Sequence, residues 1–116
     1  MSTQLGRWQV AALRGLMAAE RDMDAADMLV TEMMERLRAG ERLSEADDLS
    51  RRDAERMLAV GALGAILDSA ESPAVRRALD RAVGSLWKRG LVECVGGRVR
   101  VSDWGAGALA AREGAR

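Results

Sequence analysis

Residues able to do acid–base or nucleophilic chemistry are scarce in this chain. It has no histidine and one cysteine, Cys94. That ligand count excludes a zinc site of the Cys/His kind and any Ser–His or Cys–His nucleophilic pair. Glu45, Asp47 and Asp48 form one acidic cluster, but it has no partner base and no phosphate-cradling glycine loop. It reads as a solvated connector rather than a catalytic or metal-binding set. No enzymatic reaction, cofactor or metal is therefore expected. Cys94 alternates with Glu93 on a short strand and is expected to be half-buried. A redox role would need a lowered thiol pKa, which nothing in the sequence establishes.

The chemistry this chain can do lies in its cations. Arg76, Arg77, Arg81 and Lys88 fall between Pro73 and Arg89, and Arg98 and Arg100 follow closely. Guanidinium groups form paired hydrogen bonds to phosphates and to guanine edges, so such a set suits duplex DNA. Formal net charge is zero, but it is unevenly spread. Residues 1–50 carry six arginines against ten acids, a net −4, and residues 51–116 carry twelve cations against eight acids, a net +4. The step suggests a polyanion-facing surface in the second half. A neutral total makes the chain a weak non-specific binder, because counterion release scales with the phosphates neutralised.

Several elements must position these cations. A length of 116 residues with 48% apolar and 31% charged residues suits one folded, helix-rich domain. Tyr and Phe are absent, so Trp8, Trp87 and Trp104 are expected to supply the aromatic packing. No apolar run reaches the ~18 residues of a membrane span. The N-terminus lacks the basic and apolar regions of a secretory signal, and a single cysteine fits a reducing compartment, so a cytoplasmic protein is expected.

Helical spacing predicts a first helix over 4–20, a junction at Arg21-Asp22, and a second helix over 24–39 ending at Gly40. Residues 40–50 read as an acidic connector with one helical turn over Ser44–Asp48. Ser50-Arg51-Arg52-Asp53 has the form of a capping box opening a third helix to Asp68. In that helix Gly61 and Gly64 suggest a close helix crossing. Ser72-Pro73 is an N-cap followed by proline at the first helical position, which predicts a helix over 73–89. Leu91–Val95 and Arg98–Ser102 alternate around Gly96-Gly97, a hairpin pattern. Ser102 can cap a last helix.

At 100° per residue, Val75, Leu79, Ala82, Val83 and Leu86 share one arc of the 73–89 helix. Arg77, Arg81 and Lys88 lie opposite with Gly84, and Arg76 lies at the flank. The helix alone reads equally well as an amphipathic helix with a solvated basic side. The hairpin adds Arg98 and Arg100 on one strand face, because strand side chains repeat every two residues.

The segment from Arg77 to Glu93, closing Leu86-Trp87-Lys88-Arg89-Gly90-Leu91-Val92-Glu93, resembles the recognition-helix end of bacterial winged helix-turn-helix regulators. Gly97–Gly105 is similar to their second wing strand and the Leu-Thr-x-x-Gly motif that opens their final helix, with Val101-Ser102 standing at its first two positions. The resemblance covers about residues 72–105. It implies a mostly α fold with one short β-hairpin: a winged-helix core over 50–112 with a helical extension over 1–40, all within one domain. It also implies that Arg76, Arg77, Arg81 and Lys88 face double-stranded DNA and that Arg98 and Arg100 sit on the wing of a bacterial or phage transcriptional regulator. Such regulators have a short helix before the recognition helix, whereas here the preceding helix is long and 68–71 must serve as the turn. The helical extension would mediate homodimerisation. Winged helices also serve as protein-interaction modules, and the acidic N-terminal half would then dock a protein partner, as an inhibitor or adaptor does.

Overall fold

A computed structural model describes residues 4–114. In chain order the elements are α1 (Arg7–Arg38), α2 (Glu45–Asp68), α3 (Pro73–Lys88), β1 (Val92–Val95), β2 (Arg98–Val101) and α4 (Asp103–Gly114). The architecture is thus mostly α with one antiparallel hairpin, as the patterning predicts. Among the described residues no single helix is long and apolar enough to cross a membrane.

The predicted break at Arg21-Asp22 does not occur, and α1 is one helix of 32 residues. Neither residue is a glycine or proline, and both side chains are exposed. A solvated charged pair leaves the backbone ladder intact, and the buried stripe of Leu13, Leu16, Met23, Ala26 and Met33 runs straight past it. At 1.5 Å per residue α1 is about 48 Å long, which accounts for most of the 57 Å long axis of the molecule. It stops as expected at Gly40, whose φ of 85° closes a Schellman turn: Gly40 N–H donates to Leu37 and Glu41 N–H to Arg36.

α2 begins earlier than its Ser50 signal. Ser44 is the N-cap, its hydroxyl accepting from Asp47 N–H at 3.1 Å, and Glu45, Asp47 and Asp48 occupy the first turn, where the helix dipole favours carboxylates. Arg51 then bridges Asp48 and Glu55 at 2.8 and 3.0 Å, carrying the helix through Ser50. Gly61 interrupts α2 with φ 78° and ψ 168°, a conformation open essentially to glycine alone. The helix is thereby divided into a long arm before Gly61 and a short segment, residues 62–68, after it. The expected close crossing is not at Gly61 or Gly64. A Cβ on Gly61 would meet nothing within 4 Å, and one on Gly64 would press on Val60, just across the Gly61 break in α2, rather than on another helix. The close approach is at Gly15 of α1, where a Cβ would lie 3.0 Å from Ile66.

α3, set at 118° to α2 taken as a whole, starts where Ser72-Pro73 predicts, with Val75 N–H donating to Ser72 Oγ at 3.2 Å. The hairpin pairs Val92 with Val101 and Val95 with Arg98 around Gly96-Gly97, both at positive φ. Ser102 fastens the next helix: its hydroxyl donates to Gly90 O at 2.6 Å and accepts from Gly105 N–H at 3.1 Å, and its N–H donates to Leu91 O.

One core joins the first half of α1 (Val10, Leu13, Leu16, Met23) to Ala62 and Ile66 of α2, to α3, to Leu91 and Val92, and to Leu109 of α4. The second half of α1 and the long arm of α2 form a two-helix arm beyond it, where Ala26, Met33 and Ala54 are the buried apolar residues. The core is aliphatic, and the tryptophans do not fill it. Trp8 is half-buried, and Trp87 and Trp104 are 52% and 81% exposed.

Candidate nucleic-acid interface

α3 is seated by Leu79, Ala82, Val83 and Leu86, all buried, with Val75 half-buried. That anchorage turns the opposite arc outward. Arg77, Arg81 and Lys88 are all exposed there, and among the described residues none of the three has an ion-pair partner. Between them Gly84 leaves the helix backbone open, since a Cβ at that position would meet nothing within 4 Å. Arg76, at the flank, instead reaches back across the turn to Asp68 at 3.3 Å.

Two residues join this face that the sequence reading leaves out. Trp87 lies on the flank between Arg76 and Asp80 and is 52% exposed. Its angular position off the apolar arc was visible in the helix periodicity, and the expectation that tryptophan must pack internally obscured it. Arg7 comes from the start of α1, and no local signal links it to α3. It stacks 5.0 Å over the Trp8 ring and, with Trp8 and Arg81, lines an open groove of about 450 Å³ between α1 and α3. The placement of α1 is set by polar ties. Gln9 donates to Ser85 Oγ at 2.9 Å, Arg89 donates to Gln4 O and Gln9 Oε1 at 3.2 Å each, and Arg112 donates to Leu5 O.

The hairpin cations occupy a different setting. Cross-strand pairing places Arg98, Arg100, Glu93 and Val95 on one face of the hairpin. That face is exposed, whereas the opposite face packs Val92, Val99 and Val101 on the core. Arg100 approaches Glu20 at 3.9 Å and Asp24 at 4.0 Å, and Arg98 has no ion-pair partner among the described residues. On the other face, Cys94 is exposed rather than half-buried, because it lies near the turn, where no other element covers it. The structure therefore brings Arg77, Arg81 and Lys88 together, ties Arg76 to Asp68, draws Arg100 toward Glu20 and Asp24, and leaves Arg98 exposed at the rim of the same wedge.

The titrations that depart from ordinary values lie at the far end of the arm, away from α3. Asp48 is held below the usual carboxylate range, first because Arg51 donates to it and further by the charge of Arg52, while desolvation opposes the shift. Arg36 is raised, chiefly by its hydrogen bond to Glu41, and Arg51 chiefly by its bond to Asp48. These groups staple the tip of the arm, and none of them faces α3. No family model matches this chain, and neither does any curated protein or solved structure.

Proposed function

We propose that this protein is a small DNA-binding transcriptional regulator of winged helix-turn-helix architecture, with α3 as its recognition helix. The observation that carries this reading is the outer arc of α3: three exposed cations without ion-pair partners among the described residues, flanking an open glycine, on a helix held rigidly by its other side. Guanidinium groups so placed can contact guanine edges or phosphates, and Gly84 lets the helix approach the groove floor closely.

The connectivity supports the same reading. The break at Gly61 yields the short helix expected before a recognition helix, and a short turn after Asp68 joins it to α3, the order of a helix-turn-helix pair. A hairpin and a serine-capped helix follow in the order the motif requires. Arg7 adds a cation beside Arg81, placed for a backbone phosphate rather than a base. The exposed Met34, Leu37, Leu49, Met57 and Val60 of the two-helix arm supply apolar area for the homodimer that two half-sites call for.

The same arm favours a second reading, a protein-interaction module in which the acidic, partly apolar N-terminal half docks a protein and α3 is merely solvated. Retention on mixed duplex DNA at ~50 mM salt, where phosphate contacts are strongest, separates the two. The regulator reading expects salt-sensitive binding that is abolished by Arg77→Ala with Arg81→Ala while the circular dichroism spectrum stays unchanged. No retention of the unaltered protein refutes it. Loss of a protein partner on changing arm residues, with α3 variants silent, establishes the second.

A further inference from the structure

The two wing arginines are exposed, but they lie at the edge of an acidic stretch of α1. With Glu20, Asp24 and Asp27 of α1 they line a wedge of about 210 Å³ between the hairpin and that helix. The three acids are spaced at i, i+4 and i+7, so they form one stripe, and like charges at such spacing repel one another. The cations facing that stripe across the wedge are Arg98 and Arg100, and Arg100 makes both of the ion pairs observed there. Glu20 is also committed structurally: only 19% exposed, it accepts the Val101 N–H at 2.8 Å and thereby fixes the second strand of the hairpin against α1.

We infer that the acidic stripe of α1 is an intramolecular counter-surface that occupies the wing cations in the free protein, so that nucleic-acid phosphates must compete with Asp24 and Asp27 for Arg98 and Arg100. This rests on the DNA-binding reading. It divides the basic residues into two classes: the α3 arc is available from the outset, and the wing becomes available on displacement of the acids. An exposed ion pair is weak, so the hold is of a size that phosphates can overcome. It lowers affinity rather than abolishing it.

The test uses the full chain with Asp24→Asn and Asp27→Asn together, sparing Glu20 because of its backbone bond. Affinity for duplex DNA is expected to rise about two- to fivefold, the range an exposed pair carries. The log–log salt slope is expected to steepen by about 0.9 for each additional phosphate contacted. The gain should vanish when Arg98→Ala and Arg100→Ala are added, and should be absent from Glu32→Gln with Glu35→Gln, which changes net charge equally on the distant part of α1. An equal gain in that control, or a gain that survives loss of the wing arginines, overturns the proposal. A second measurement needs no DNA. Modification of Arg98 and Arg100 by an arginine-selective dicarbonyl, followed by peptide mass mapping, should be slower in the unaltered protein than in the Asp24/Asp27 variant. Equal rates overturn the counter-surface whatever the DNA result. Absent DNA binding with unequal rates refutes the regulator reading alone.

Discussion

Replacing Gly105 with alanine sets two effects of opposite sign against each other inside one helix. Alanine is the better helix former, worth up to about 1 kcal/mol over glycine in a helix interior. At this position a Cβ would sit 2.1 Å from the Leu91 carbonyl oxygen, 3.0 Å from its carbon and 2.9 Å from Val101 Cγ1. The first two atoms are backbone, so relief requires moving α4 away from the α3–β1 junction. That movement also stretches the Ser102 bonds to Gly90 and Leu91. Overpacking of this kind costs about 1–3 kcal/mol, and each weakened hydrogen bond about 1 kcal/mol more. The clash outweighs the propensity, and a net loss of about 2–4 kcal/mol is expected, with a fall in Tm of several degrees or more. Gly107, two residues further along α4, is exposed and a Cβ there meets nothing within 4 Å. Gly107→Ala keeps only the favourable effect and should stabilise by about 0.5–1 kcal/mol. Urea unfolding followed by far-ultraviolet circular dichroism measures both. A Gly105→Ala protein as stable as the parent, or a Gly107→Ala protein less stable, would refute this account of how α4 is seated.

Two further outcomes follow from the arm and its kink. Gly61→Ala meets no steric obstacle but forces a side chain onto a backbone conformation that only glycine populates. A loss of about 1–3 kcal/mol is expected, and a variant of unchanged stability in the same urea assay would mean the break is not held in solution. The depressed pKa of Asp48 means the folded state releases that proton more readily than the unfolded one. Its stabilising contribution is therefore complete above the ordinary aspartate value of about 4 and is lost as pH falls through the lower folded value. The Tm gap between the parent and Asp48→Asn should accordingly be constant from neutral pH down to roughly pH 5 and close below about pH 4. A gap that persists into strong acid refutes the Arg51–Asp48 pairing as its source.

The features legible in the sequence are those governed by a few consecutive residues. Ser72-Pro73 started α3 because a hydroxyl acceptor and a fixed φ act within one turn. Gly96-Gly97 closed the hairpin because positive φ at two successive residues is a local requirement. The basic arc of α3 was legible because helical periodicity places Arg77, Arg81 and Lys88 opposite Leu79, Val83 and Leu86. The misreadings have a common cause. The expected junction at Arg21-Asp22 is absent because only backbone chemistry or packing interrupts a helix, and neither residue supplies it. Trp87 and Trp104 were assigned inward by side-chain type, although the core closes with small and aliphatic residues.

What the sequence by itself determined, then, is where the cations fall, on an amphipathic helix and a short hairpin, in a chain with no histidine among 116 residues. What only the tertiary structure decided is which of those cations are available. Arg76 is drawn to Asp68, Arg7 is brought from the start of the chain to stand beside Arg81, and Arg100 is set against Glu20 and Asp24. The physical reason is range. Capping, turn and periodicity preferences act over one or two turns, whereas an arginine's partner is chosen by whichever carboxylate the packed core holds within about 4 Å of it, here one lying 80 residues upstream in sequence.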